Sequence, residues 1–187
     1  ETSEQVDLGL DGRMLGDKLT FGIDYYIKKT KDLLVSGTTP SLIIGGTTSP
    51  VNAGNVENKG WEFELGWQQA VGELFYSVRA NAATLKNKVT YLDPSLARIA
   101  GVGNHSNTVT YFEEGYPIYY YRGYVLDGID SATGNPVFVD QNGDSIINDD
   151  DRVYIGDAIP SLTYGATFTA SYKGFDLTLF GQGTAGN

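Results

Sequence analysis

The fold of this chain is decided by the stretch Leu19-Thr20-Phe21-Gly22-Ile23-Asp24-Tyr25-Tyr26-Ile27. Every odd-numbered residue in it carries a large apolar or aromatic side chain, whereas Thr20, Gly22 and Asp24 lie between them. Successive side chains of a β-strand point to opposite faces of the sheet. The alternation therefore predicts a strand with one apolar face and one polar face.

The same alternation recurs along the chain and predicts six strands, at about residues 5–13, 18–35, 57–69, 74–92, 161–172 and 175–183. Short connections such as Lys173-Gly174 alternate with two long ones, at about residues 36–55 and 93–158. Strands of this kind, with short turns on one side and long loops on the other, are typical of an outer-membrane β-barrel. We therefore expect an all-β fold of antiparallel transmembrane strands whose apolar face meets lipid and whose polar face lines a lumen.

The number of strands predicts that the chain is part of a larger barrel. Six strands are too few, since single-chain barrels of this type begin at about eight. The alternating pattern is already under way near Glu1 and is still present near Asn187. We expect residues 1–187 to form one partial barrel domain with long extracellular loops at 36–55 and 93–158.

Composition narrows the function further. The chain has 187 residues, a formal net charge of −10, no cysteine and a single histidine, His105. A nucleic-acid partner is not expected, because such proteins carry clustered basic charge. A histidine-based zinc site or catalytic triad is disfavoured as well. The carboxylates follow strand and loop positions rather than a paired arrangement beside an apolar pocket wall, so we predict that the chain is not an enzyme.

Five sequence blocks, taken in their order and spacing, resemble the SusC/RagA-like family of TonB-linked (TonB-dependent) outer-membrane transporters. They are Thr30-Lys31-Asp32-Leu33-Leu34, Asn55-Val56-Glu57-Asn58-Lys59-Gly60-Trp61, Glu114-Gly115-Tyr116-Pro117-Ile118, Asp140-Gln141-Asn142-Gly143-Asp144 and Tyr172-Lys173-Gly174-Phe175-Asp176-Leu177. The resemblance implies the C-terminal part of a barrel of about 22 strands. It also implies that an N-terminal plug domain, not present in this chain, fills that barrel.

The resemblance has further implications for location, cargo and partners. It implies a place in the outer membrane of a Gram-negative bacterium and the import of nutrients, namely oligosaccharides or, in some members, peptides. It implies a SusD-like surface lipoprotein as a lid and TonB as the source of energy, reached through the absent N-terminal part.

An acidic stretch in the second long connection matches a calcium-loop pattern. Its candidate ligands for Ca²⁺ are Asp140, Asn142, Asp144, Ile146 through its backbone carbonyl, Asn148 directly or through water, and Asp151. Their spacing suits a hard cation that needs several oxygen ligands. Two positions depart from the pattern, because Ser145 replaces a glycine and Asp151 replaces the longer glutamate. The alternative is a turn in which Asp and Asn side chains cap their own backbone.

Aromatic residues crowd into the same connection. They are Tyr111, Phe112, Tyr116, Tyr119, Tyr120, Tyr121 and Tyr124. Sugar rings pack on aromatic planes and bond to tyrosine hydroxyls, so Tyr119, Tyr120 and Tyr121 are candidate substrate-binding residues, and we expect at least one of them to face the lumen or the lid. The alternative is that these rings pack the long connection against the rest of the protein.

Two other functions are compatible with the same residues. The first is a soluble calcium-dependent carbohydrate-binding β-domain, which uses the same tyrosines and acidic loop. In such a domain the apolar face that carries Trp61, Phe63, Leu65 and Trp67 packs against a second sheet, whereas in a barrel no protein covers it. The second is a TonB-linked receptor for siderophores or cobalamin, which the long tyrosine-rich and aspartate-rich connection disfavours.

Overall fold

The computed structural model describes residues 1–36, 50–101, 103–104 and 107–187, so His105 and most of the first predicted long connection lie outside the described residues. The strands are β1 (Thr2–Met14), β2 (Leu19–Ser36), β3 (Pro50–Val71), β4 (Leu74–Thr84), β5 (Lys86–Leu92), β6 (Ile99–Ala100), β7 (Gly103–Asn104), β8 (Asn107–Thr108), β9 (Thr110–Phe112), β10 (Tyr120–Gly123), β11 (Leu126–Ile129), β12 (Pro136–Phe138), β13 (Val153–Gly156), β14 (Leu162–Tyr172) and β15 (Phe175–Ala185). A single 3-10 turn in the described ranges spans Asp149–Asp151.

The long strands form one antiparallel sheet in the order β1-β2-β3-β4-β14-β15. The shorter strand β5 pairs with residues 54–59 of β3. The all-β antiparallel prediction is confirmed. The predicted fourth strand is divided in two, because the Leu85 N–H bonds to the Ser161 carbonyl at 2.9 Å instead of to β3. β3 begins at Pro50, earlier than predicted, since its ladder with β2 continues past a bulge between Thr30 and Leu33.

Tight turns join the strands at one end of this sheet. Lys173 and Gly174 have φ values of 49° and 82°, which is a type I′ turn between β14 and β15. Gly72, with φ 60°, opens the two-residue turn between β3 and β4, as in a type II′ turn. Such turns match the twist of paired strands and fix their register. The connections that follow β2 and β4 lie at the opposite end.

The register gives the sheet two chemically different faces. Ile23, Phe63 and Ala82 are paired across β2, β3 and β4 on the apolar face, whereas Gly22, Glu64 and Asn81 are paired on the polar face. Phe63 and Leu65 on the apolar face are 41% and 53% exposed. Within the described residues no second sheet covers this face, contrary to what a soluble sandwich requires.

The buried core lies at the end of the sheet that carries the long connections. It consists of Val56, Val89, Leu92, Leu96 and Phe112. The region between β5 and β14 is not an open loop, since it forms a four-stranded sheet in the order β13-β10-β9-β6 and two small hairpins, β11–β12 and β7–β8. Among the described residues, no helix has the length and apolar character needed to cross a membrane.

Candidate functional site

The polar face of the main sheet contains a hollow. One row crosses all six long strands through Asp11, Gly22, Glu64, Asn81, Gly165 and Gln182. Its glycines leave space for neighbouring polar groups, because a Cβ at Gly165 would lie 2.9 Å from Oδ1 of Asn81. A hollow on this face, lined by Asp11, Gly22, Glu64 and Asn81 among others, has a volume of about 850 Å³.

Charge on this face is separated into rows. The row next to that of Glu64, on the side of the long connections, contains the paired residues Asp24 and Glu62. The row on the other side of Glu64 contains Arg79, which is paired with Gly66. Arg13 shares the row of Arg79. Neither arginine forms an ion pair within 4 Å with a described residue. The face therefore presents charged groups that are available to a molecule in the hollow.

Tyr120, one of the three candidate substrate contacts, lies inside the packing of the long connection. It is 2% exposed. Its ring stacks on Tyr116 with 4.5 Å between centroids, and its hydroxyl donates to Oε2 of Glu113 at 2.5 Å. Burial, together with the Glu113 carboxylate, raises the pKa of the Tyr120 phenol. In this conformation the ring is not accessible to a substrate, and it packs against Tyr116 and bonds to Glu113 instead.

Tyr119 and Tyr121 are accessible, with 47% and 40% of their surface exposed. Tyr119 adopts φ 52° immediately before β10, and its ring lies 6.2 Å from that of Phe112. It lines an apolar hollow of about 330 Å³ together with Leu33, Leu34, Val56, Ile99, Phe112 and Ile118. The sequence pattern did not predict this hollow, because it is assembled from segments far apart in the chain.

The acidic loop forms a chain of turns closed by side-chain acceptors. Both carboxylate oxygens of Asp140 accept backbone N–H groups, from Gly143 at 2.6 Å and from Ser145 at 2.7 Å. Oδ1 of Asn142 accepts from Asp144 at 3.0 Å, and Oδ1 of Asp144 accepts from Ile146 at 2.7 Å. These contacts are those of the predicted alternative, in which Asp and Asn cap their own backbone.

Asp151 closes the loop from its far end. Its carboxylate is fully buried and accepts the N–H groups of Gln141 and Asn148, each at 2.8 Å. The bonds from Asn148 and Gln141 lower the pKa of the Asp151 carboxyl. Asn148 in turn caps the 3-10 turn, since its Oδ1 accepts from Asp150 at 2.7 Å.

Calcium binding by this loop stays a prediction. In the described ranges, no three His, Asp or Glu side chains are gathered in a way that could hold a metal ion. Each carboxylate nevertheless has about four lone-pair positions, so an oxygen that accepts an N–H can also bind a cation. Ser145 adopts φ 64°, the left-handed conformation that suits a glycine.

A pair of arginines joins the acidic loop to the aromatic cluster. Asp149 bonds to Arg122 at 3.2 Å and to Arg152 at 3.1 Å. The guanidinium of Arg152 lies over the ring of Tyr124, 5.0 Å from its centroid. The loop and the tyrosines predicted as separate sites therefore belong to one folded unit.

The residue pattern of this sheet matches a known family over almost the whole chain. The family described as TonB dependent receptor-like, beta-barrel matches residues 1–185. The chain belongs to this family of TonB-dependent receptors. The resemblance deduced from the sequence blocks is therefore confirmed, as is the expectation of strands from a barrel. Membership of a receptor family also supports the prediction that the chain is not an enzyme.

Similar proteins include TonB-dependent receptor P26 of Formosa agariphila, which is 31% identical over 100% of this chain and 20% of its own length. TonB-dependent receptor SusC of Bacteroides thetaiotaomicron is 29% identical over 95% of this chain and 19% of its own length. Among solved structures, the RagAB peptide importer in its 'open-open' state aligns with a TM-score of 0.80 and 25% identity, over 99% of this chain and 20% of that chain. The chain thus spans about a fifth of the length of the curated relatives that it matches.

Proposed function

We propose that residues 1–187 form part of the barrel domain of an outer-membrane, TonB-dependent nutrient importer of a Gram-negative bacterium. The observation that carries the proposal is the pair of contrasting sheet faces, one apolar and exposed, the other polar and hollow. In a barrel the first faces lipid and the second faces the lumen. A plug domain and the segment that contacts TonB belong to the remainder of the protein.

The cargo we propose is an oligosaccharide or a peptide, delivered with the help of a SusD-like surface lipoprotein. Family membership supports this choice, since SusC and a RagAB peptide importer are both similar to the chain. The long connections occupy the extracellular side in this orientation, where a lid and a substrate arrive. Tyr119 and Tyr121 are our candidate contacts for substrate, because their rings are exposed.

Calcium is the cation we propose for the acidic loop, which is rich in oxygen donors. Its role is structural, since the loop is tied through Asp149 to the sheet that carries the tyrosines. A bound ion would hold this extracellular unit in shape and take no part in moving the substrate.

Uptake by the full-length protein in its own host tests the proposal. Strains that express the wild type or Y119A/Y121A receive labelled oligosaccharides and labelled peptides of matched size. We expect one class to enter in a TonB-dependent manner, and the double variant to lower uptake roughly tenfold, because loss of an aromatic contact costs about 1 kcal/mol or more. Y91A is the matched control, since Tyr91 is also exposed.

Cell fractionation distinguishes the proposed importer from a soluble carbohydrate-binding domain. A protein recovered in the soluble fraction, with calcium-dependent binding to glycans and no uptake, would favour the carbohydrate-binding domain instead. Co-purification of a surface lipoprotein from the outer-membrane fraction supports the proposed lid, and its absence after mild solubilisation counts against it.

A further inference from the structure

A band of five lysines lies on the apolar side of the main sheet, at the end that carries the long connections. Its members are Lys29, Lys31, Lys59, Lys86 and Lys88. Register places them together, because Lys59 is paired with Lys86, and Glu57 is paired with both Lys29 and Lys88. Paired residues share a face, with Cβ atoms about 4.5–5.5 Å apart. We call this group the lysine band.

Charge within the lysine band is incompletely balanced. Glu57 contacts Lys59 at 3.0 Å and Lys29 at 3.5 Å, and Glu4 contacts Lys31 at 2.7 Å. Lys86 and Lys88 form no ion pair within 4 Å with a described residue. Two glutamates against five lysines leave three net positive charges on a chain whose overall charge is −10.

The pairing of Lys59 with Lys86 is itself unfavourable without a counter-ion. Like charges directly opposite each other on paired strands destabilise the pair. Glu57 lies on the same side of the sheet but already contacts both Lys59 and Lys29. An external anion placed between Lys59 and Lys86 would relieve the repulsion.

Aromatic rings mark the depth of the band. Tyr25 and Trp61 are paired directly below it, with 4.7 Å between ring centroids. Lys59 precedes Trp61 by two residues, which is about 7 Å along a strand. Tyrosine and tryptophan collect at the boundary between hydrocarbon and headgroups. In an outer-membrane barrel, the lysine band therefore lies at the level of the headgroups on the extracellular side.

We propose that the lysine band binds the phosphate of an anionic lipid headgroup in the outer leaflet. The band supplies positive charge, and the apolar face below it offers contact for acyl chains. A lipid with a phosphorylated headgroup fits both surfaces at once, whereas free phosphate or a soluble acidic protein fits only the first. Basic groups beside a membrane attract anionic lipids in this manner. The inference rests on the proposed outer-membrane location and not on the imported nutrient.

Native mass spectrometry of the full-length transporter, extracted from outer membranes, tests the inference. The probe is bisphosphorylated lipid A, compared with chemically dephosphorylated lipid A. The variant K59Q/K86Q/K88Q removes three charges from the band, and K18Q/K28Q/K173Q removes three charges elsewhere. Lys28 is a close control, because it lies at the same height on the opposite face and is paired with Asn58.

We expect wild type and control to retain the bisphosphorylated lipid, and the band variant to retain at least tenfold less. Equal retention by the band variant would overturn the inference. So would equal binding of dephosphorylated lipid, or complete displacement by inorganic phosphate, which would identify a site for the free ion. Uptake is measured in the same strains, so a failure of nutrient import with correct membrane insertion leaves the lipid result separately readable.

Discussion

Gly60 lies against the backbone carbonyl of Thr84, so closely that a Cβ on Gly60 would come within 1.8 Å of that oxygen. The contact arises where β4 ends, because the Trp61 N–H bonds to the Thr84 hydroxyl at 2.9 Å and Leu85 turns towards Ser161. A side chain at position 60 therefore requires the backbone to move.

We expect G60A to lower the free energy of unfolding by about 1–3 kcal/mol, because backbone atoms yield less than a flexible side chain does. The full-length barrel is heated in detergent, and the folded fraction is followed by its mobility on unboiled gels. G181A is the control, since a Cβ at Gly181 meets nothing within 4 Å. Equal melting of both variants would show that the close approach has no energetic weight.

Ser145 is held in the left-handed region, with φ 64°. We expect S145G to stabilise the acidic loop by roughly 1 kcal/mol, because glycine adopts this conformation without the Cβ clash. Hydrogen exchange of the backbone amides in residues 140–151 measures the effect. G143S is the reciprocal variant, since Gly143 has φ 77°, and it should exchange faster than the wild type. A slower exchange in G143S would contradict this account of the loop.

Asp151 makes the acidic loop sensitive to pH. Its pKa lies below the ordinary value of 3.8 because backbone N–H groups bond to the charged carboxylate. The stabilisation is therefore fully present above pH 3.8 and is lost as pH falls through the lower, folded-state pKa. Amide protection in the loop, measured from neutral pH down to the pH at which the Asp151 carboxyl is protonated, should follow this course.

D151N should weaken the loop at neutral pH by about 1.5–3 kcal/mol, since it removes a charged acceptor of two backbone bonds. It should also abolish the loss of protection at low pH. D150N is the matched control, because the Asp150 side chain is exposed and its backbone N–H, not its carboxylate, makes the bond to Asn148. If both variants behave alike, the buried carboxylate is not the group responsible.

Calcium should bind the same loop weakly. Ser145 and Asp151 both depart from the tight-binding pattern, so we expect a dissociation constant on the order of 10⁻⁴–10⁻³ M, as in extracellular modules. Calorimetry of the full-length protein should show heat that D140N/D144N abolishes and D150N retains. Absence of both calcium-dependent heat and a calcium-dependent melting shift would contradict the proposal that the acidic loop binds calcium.

The strands and the two faces of the sheet were predictable from sequence because a period of two residues determines where each side chain points. The break at Leu85 was not predictable, because it depends on a bond to Ser161, which is distant in the chain. Packing of these rings within the long connection was one of the two alternatives, but the choice of Tyr120 as the buried ring was not predictable, since it depends on the pairing of Tyr120 with Tyr111 across β9 and β10.

The acidic loop contains both contacts that the sequence predicted and a contact that it did not. Its spacing predicted the run of turns made by Asp140, Asn142 and Asp144, since each contact joins residues only a few positions apart. The link from Asp149 to Arg122 joins residues far apart in the chain, and no local pattern indicates it.

The tight turns restrict sequence change at one end of the main sheet, whereas the long connections at the other end can vary more. Lys173-Gly174 fixes the β14–β15 register, and Gly72 helps to fix that of β3 and β4, so the residues paired along these strands keep their face when the far end changes. Insertions or exchanges in the long connections can therefore change the surface at that end without moving the apolar residues near the turns to the other face of the sheet. Related proteins can in this way differ at their long connections while they keep the same sheet.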